Sequence, residues 1–159
     1  MRYGLCGPRV GQQVWDIPVP RRPLAVLEPE ARAWTWAVQR LPEVSSLEME
    51  SDFGSLDGLR AEIQRDVYGL VMDFDGLRRF SRQVSQVIWG EFLATDSPAT
   101  MPRADDSDRW VGENVLAGLF AFDSSFWLVG GPGPVIDRVV ARFRRVEEVD
   151  PREWVRDQR

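Results

Sequence analysis

The chain has 159 residues, of which 43% are hydrophobic and 28% are charged, and its formal net charge is −5. This length and composition are those of one packed globular domain rather than of a disordered segment. The sequence contains no histidine and no lysine, so it lacks the usual general base near neutral pH and the amine of Schiff-base and phosphate-binding sites. We therefore expect a protein without catalytic residues, metal ligands or a cofactor.

The single cysteine, Cys6, cannot form an internal disulfide bond, and this favours a reducing compartment. Neither a signal-peptide core nor a stretch of ~18 apolar residues is present, so we expect a cytoplasmic protein that does not bind a membrane. Residues 43–75 contain nine acids and two arginines. Such a surface repels nucleic acid and attracts a protein partner with a basic surface.

The amino-terminal third predicts few regular elements. Residues 1–28 form a segment rich in proline and glycine, within which residues 10–17 predict one short strand. Pro29 is favoured in a first helical turn, and the apolar spacing after it predicts a helix to about Leu41. The apolar stripe of this helix comprises Trp34, Ala37, Val38 and Leu41, whereas Trp36 points elsewhere. Residues 44–52 alternate between apolar and acidic side chains, which predicts a half-buried strand.

The middle of the chain predicts alternating helices and strands. Ser55 is a good N-cap for a helix, whose apolar stripe consists of Leu56, Leu59, Ile63 and Val67. Residues 69–73 form a short apolar strand, and Asp75 can cap a further helix with an apolar face made of Leu77, Phe80, Val84 and Val87. Residues 87–95 predict another strand. Residues 96–112, which we call the acidic loop, contain two prolines and an acidic cluster and predict a long loop.

The carboxy-terminal third carries the clearest pattern. Residues 115–122 and 126–129 predict two strands joined by a tight turn at 123–125. Residues 134–146 predict a helix, and its inward-facing side chains are Val135, Ile136, Val139, Val140, Phe143 and Val146. A polar tail, residues 147–159, follows. We predict a single α+β domain over residues 1–159, with an antiparallel or mixed sheet of about five or six strands and helices packed mainly on one face.

The run from Gly69 to Gly76 resembles the first motif of the haloacid-dehalogenase superfamily, in which an apolar strand ends in Asp-x-Asp. The resemblance implies that Asp73 is a nucleophile and Asp75 an acid/base, which makes a magnesium-dependent phosphohydrolase an alternative function. The other interpretation is a strand that ends at Asp73 and a helix that Asp75 caps. We favour the second interpretation, because the similarity covers about eight residues and the family's later lysine is absent.

The acidic loop holds the candidate binding residues Asp105, Asp106, Asp108 and Trp110. Oxygen ligands of this kind suit calcium or magnesium, but the run lacks the spacing of a calcium-binding loop. Acids beside an aromatic side chain suit a hot spot for a basic protein partner. A second acidic patch comprises Glu48, Glu50 and Asp52. The other interpretation is that the loop is only mobile and solvated.

A larger pattern involves residues 70–146. An Asp-Ser-Ser-Phe-Trp run at 123–127 lies on a strand before a carboxy-terminal amphipathic helix, and a helix-to-strand passage at 86–92 precedes it. This layout resembles the small α+β immunity proteins that bacteria encode beside polymorphic toxins. The resemblance implies a cytoplasmic protein that binds and blocks one toxin. We therefore predict a non-enzymatic protein-binding module, with a structural subunit of a larger assembly as a further alternative and the oligomeric state left open.

Overall fold

The computed structural model describes residues 11–15, 21–44, 51–84, 86–106, 109, 113–122 and 126–150. Four helices and seven strands alternate irregularly along these segments. In chain order the elements are β1 (Gly11–Trp15), α1 (Arg21–Leu27), a 3-10 helix (Glu30–Ala33), β2 (Thr35–Val44), α2 (Leu56–Gln64), β3 (Leu70–Met72), α3 (Phe74–Gln83), β4 (Val87–Thr95), a second 3-10 helix (Pro98–Thr100), β5 (Val115–Phe122), β6 (Phe126–Gly130), α4 (Gly133–Arg142) and β7 (Val146–Val149).

All seven strands of the described segments belong to one sheet, in the order β3-β2-β4-β5-β6-β1-β7. Every pairing between neighbours is antiparallel. The predicted α+β class with an antiparallel sheet is therefore confirmed. None of the helices in the described part of the chain is long and apolar enough to cross a membrane.

The helices cover one face of the sheet, which we call the helical face. Alternate residues of the central strands point to this face, among them Phe92 of β4 and Leu119 of β5. They form one core with fully buried side chains from the helices, which include Leu27, Leu59, Leu77 and Val139. At about 25 cal/mol per Å² of apolar surface, burial of this core is the main stabilising contribution to the fold.

The opposite face, which we call the loop face, is only partly apolar. Ala37, Leu93 and Val115 form a small buried cluster there with Met101 of the acidic loop. Farther along this face, aromatic rings pack in a row, with centroids 4.3 Å apart for Trp89 and Phe122. Most residues of the central strands are therefore buried on both faces, which explains why β5 and most of β4 are apolar rather than alternating.

The predicted helix over residues 29–41 is wrong, because this stretch contains the first 3-10 helix and then β2. Trp36, Ala37 and Val38 are consecutive and all fully buried, since β2 is covered on both faces. A continuous run of buried apolar residues includes apolar residues at helical spacing. The spacing therefore predicted a helix where the chain forms a strand. Trp36, which was predicted to point away from the apolar stripe, packs in the core and donates from Nε1 to the Ala31 carbonyl oxygen at 3.3 Å.

The carboxy-terminal helix is shorter than predicted. The structure ends α4 at Arg142 and places Val146 in β7, within a strand that the sequence analysis did not identify. Val135, Ile136 and Val139 are buried as predicted, whereas Val140 is 52% exposed. Helix α1 was also missed, because the prolines around it predicted a break.

Several other boundaries match. The structure confirms the strand within residues 10–17 as β1 and confirms the predicted bounds of β4 and β5. Ser55 caps α2 as predicted, since its Oγ accepts from the Gly58 amide at 3.0 Å. Of the strand predicted over residues 44–52, residues 45–50 lie outside the described residues and Asp52 lies in a turn.

Candidate functional site

The first part of the acidic loop packs against the sheet. Met101 is buried between Ala37 and Leu93 on the loop face. The turn between β4 and Met101 is stabilised by the Thr95 side chain, whose hydroxyl donates to the Ser97 carbonyl oxygen at 2.7 Å. This part of the loop therefore has buried and hydrogen-bonded contacts with the sheet and with its own turn.

Gln39 of β2 fastens the loop to the neighbouring turn. Its side-chain Nε2 donates to the Pro102 carbonyl oxygen at 2.6 Å and to the Tyr68 carbonyl oxygen at 3.4 Å. A backbone bond adds to this link, since the Ala104 amide donates to the Val67 carbonyl oxygen at 2.7 Å. The acidic loop and the turn between α2 and β3 are thus held as one unit.

A buried ion pair holds the loop farther along. The Arg109 guanidinium contacts the Glu91 carboxylate of β4, and both side chains are buried. Arg109 Nη1 also donates to the Asp106 carbonyl oxygen at 2.8 Å. Arg40 Nη1 lies 4.0 Å from the other Glu91 oxygen. Two buried charges of opposite sign stabilise each other where water is excluded, and this pair fixes the loop to the sheet.

The structure places two of the four predicted loop residues. Asp105 and Asp106 are exposed, whereas Asp108 and Trp110 lie outside the described residues. Asp105 accepts two hydrogen bonds of 2.9 Å from Arg103 Nε and Nη2. These bonds from the Arg103 guanidinium lower the pKa of the Asp105 carboxyl below its usual value. Asp105 therefore keeps its negative charge at the surface in mildly acidic solution.

The second predicted patch is placed only in part. Glu48 and Glu50 lie outside the described residues, and Asp52 is exposed. Asp52 is tied to the end of α3, because its Oδ2 accepts from Gln83 Nε2 at 2.8 Å. It therefore lies near the start of β4, whereas the acidic loop leaves that strand at its end. The structure does not bring Asp52 to the loop.

An exposed apolar surface, which no local pattern in the sequence predicts, lies next to the loop. Val67, Tyr68 and Val71 are 45%, 39% and 38% exposed, and we call them the β3 strip. Val71 pairs in register with Ala37, which places it on the loop face. Gly69, at a φ of +84°, turns the chain between these residues.

The Asp-x-Asp motif forms a helix cap. Asp73 Oδ1 accepts from the Gly76 amide at 2.7 Å, so Asp73 is the N-cap of α3. The prediction that Asp75 caps this helix is therefore wrong. Asp75 lies in the first turn, with its Oδ1 3.9 Å from Arg78 Nη1. Within the described segments, no group of three acidic or cysteine side chains is placed to hold a metal ion.

A small cavity opens on the helical side of the sheet. Its walls include Leu24, Phe80 and Trp127 and also Ser81. Its volume of about 10 Å³ is close to what one water molecule needs. The candidate binding site is the outer surface formed by the described part of the acidic loop and the β3 strip.

Comparison of the chain with protein-family models, with curated proteins and with solved structures finds no match. The resemblance to immunity proteins therefore stays a prediction. The function has to be inferred from the chemistry of the surface itself.

Proposed function

We propose that this chain is a non-enzymatic, cytoplasmic protein-binding module that binds a partner with a basic surface, as an immunity-type inhibitor binds its toxin. The observation that carries the proposal is the acidic loop, which is fixed at Gln39 and at Glu91 yet leaves Asp105 exposed. A surface that is ordered before binding loses less conformational entropy when a partner binds. Binding residues are also concentrated on loops that a rigid scaffold positions.

The net negative charge around the loop favours a partner that is positively charged. Residues 62–75 and 96–106 together contain seven acids and two arginines. Both arginines pair with acids of their own segment, Arg65 with Glu62 and Arg103 with Asp105. A basic protein would be attracted to this surface, and the attraction would weaken as salt screens it.

The experiment is capture of a partner on the full chain, from cells that encode it, followed by binding measurements with the purified partner. We expect one basic protein, and co-expression of this chain should relieve any toxicity of that protein. The variant D105N/D106N should lower the association rate several-fold at low salt and have less effect at high salt. Asp137→Asn, an exposed acid on α4, is the matched control and should leave the rate unchanged.

Two outcomes would contradict the proposal. One is that the parent chain captures no protein and instead retains a small molecule. The other is a partner whose association rate is the same at all salt concentrations, because such a partner would not be recognised by charge.

A further inference from the structure

The β3 strip is an exposed apolar surface in a part of the chain where the other apolar side chains are mostly covered. Its three residues and Val140 are the large hydrophobic side chains of the described segments that are most exposed to solvent. Val140 lies on α4 of the helical layer, whereas the strip lies at the β3 end of the sheet. Clustered exposed apolar residues of this kind mark interaction sites, while single ones need no explanation.

The strip is continuous with the acidic loop. Val67 accepts a hydrogen bond from the Ala104 amide, and Tyr68 shares the Gln39 side chain with Pro102. Val71 stands in register with Ala37, and Ala37 packs against Met101 of the loop. The strip and the loop are therefore held together by contacts that do not depend on any partner.

Acids border the strip on more than one side. The Asp66 carboxylate accepts from the Tyr68 amide at 3.0 Å, which places it at the turn beside the tyrosine. Asp105 lies on the adjoining loop, whereas the Asp73 carboxylate after β3 caps α3 and is not part of this surface. The result is an apolar centre with a charged rim that is net negative, although Arg103 pairs with Asp105 there. This is the layout of a protein interface in which a buried anchor is surrounded by polar contacts.

We propose that the β3 strip and residues 96–106 of the acidic loop form one docking surface, and that its occupant is a cationic protein element whose apolar centre covers Tyr68 and Val71. This inference rests on the proposed function and adds where the partner binds and what chemistry it presents. Charge complementarity selects the occupant, because arginine or lysine side chains of the partner would face Asp66 and Asp105. Tyr68 has the size and the polar tip of an anchor residue.

The test uses the captured partner and substitutions that leave the main chain unchanged. Tyr68→Ala and Val71→Thr should each weaken binding at least tenfold, mainly through a faster dissociation rate. The bonds of Tyr68 described above use its backbone atoms, and threonine keeps the branched shape of Val71, so both variants should melt as the parent does. Val140→Thr is the matched control and should bind like the parent.

A second measurement locates the partner independently of affinity. A photo-reactive p-benzoylphenylalanine placed at position 68 should crosslink to the partner, and the same group at position 140 should not. The docking surface would be overturned if the Tyr68 and Val71 variants kept the affinity of the parent and only position 140 crosslinked. The proposed function would stand in that case. An acidic contact surface on the partner would also overturn it. Failure of the parent chain to capture any protein would instead remove the proposed function, and the docking surface with it.

Discussion

The Gln39 side chain donates a hydrogen bond of 2.6 Å to the carbonyl oxygen of Pro102, 63 residues later in the chain. Gln39 is 3% exposed, and its Oε1 has no hydrogen-bond partner among the described residues. A buried amide with an unpaired oxygen is costly, so the two donated bonds have to offset that cost. Gln39 is therefore a positioning residue, which sets the place of the acidic loop relative to Tyr68.

Gln39→Leu should lower the free energy of unfolding by about 1–2 kcal/mol, because two carbonyl oxygens lose their donor. It should also speed hydrogen exchange of the Ala104 amide, because the loop is then less firmly held. Urea unfolding and hydrogen exchange check these two effects. Gln83→Leu is the matched control, since Gln83 bonds to the distant Asp52. Unchanged exchange at Ala104 in the Gln39 variant would show that other contacts position the loop.

The buried pair of Glu91 and Arg109 should show strong coupling. Glu91→Leu should cost about 3 kcal/mol, because it leaves the Arg109 charge buried without its partner. The double variant E91L/R109M should be less destabilised than the two single variants taken together, because it buries no charge. Urea unfolding of the four proteins in this cycle measures the coupling. Simple addition of the two single effects would show that the pair is solvated rather than buried.

The central strands could be predicted because turn-forming residues stand at the beginning and the end of each strand. Strands β4 and β5 are apolar runs bounded by turn-forming residues, and local sequence therefore defines them. Strand β2 could not be predicted, because burial on both faces gives Trp36, Ala37 and Val38 a pattern that a helix also produces. What decides between the two is the pairing of β2 with β3 and β4, which is a long-range property.

The candidate site was predicted only in part for a similar reason. The loop acids were found from composition, but Val67 was assigned to the apolar face of α2 because it continues the spacing of Leu59 and Ile63. The helix ends at Gln64 instead, and a tight turn at Asp66 follows it. The contact between that turn and Ala104 joins distant parts of the chain, so no local pattern reveals the combined surface.

Helix α4 provides a pair of adjacent positions that tests its orientation. Val139 is fully buried and Val140 is 52% exposed. Val139→Asp should cost at least about 3 kcal/mol, because it places an unpaired charge in the core. Val140→Asp should cost less than about 1 kcal/mol, because its carboxylate stays in water. Equal melting temperatures for the two variants would show that α4 does not pack as described.

Replacement of the two acids of the Asp-x-Asp motif should lower stability by different amounts. Asp73→Ala should destabilise the protein by about 1 kcal/mol, because the Gly76 amide loses its acceptor. Asp73→Ser should retain most of the stability, since serine is also a good N-cap. Asp75→Ala should have a smaller effect, because Asp75 contributes only its charge in the first turn. Thermal unfolding separates the three variants, and a larger loss for Asp75→Ala than for Asp73→Ala would contradict the cap.

The same motif can be tested for chemistry. We expect no magnesium-dependent hydrolysis of an aryl phosphate by the parent chain, because the Asp73 carboxylate is engaged as a cap. Turnover by the parent that disappears in Asp73→Asn would support the phosphohydrolase alternative instead. Arg79→Gln, an exposed residue of α3, is the control for unspecific loss of activity.

The contact between Glu30 and Arg138 should make stability depend on pH. Arg138 joins α4 to the first 3-10 helix through the Glu30 carboxylate, and its Nε donates to the Val26 carbonyl oxygen at 2.8 Å. The hydrogen bond from Arg138 lowers the pKa of Glu30 from its ordinary value of 4.5. A lowered pKa in the folded state means that the contribution is fully present above pH 4.5 and is lost as the pH falls through the folded value.

Glu30→Gln should therefore lower the free energy of unfolding at pH 7 by about 1 kcal/mol, a modest value because the pair is about one-third exposed. The difference between the parent and the variant should shrink steadily as the pH falls below 4.5, because Glu30 has the higher pKa in the unfolded chain, which therefore takes up a proton that the folded protein does not yet bind. Urea unfolding at a series of pH values measures this difference, with Asp137→Asn, an exposed acid of α4, as the control. A difference that stays constant down to pH 2.5 would show that the charge of Glu30 contributes nothing and that the side chain acts only through its shape.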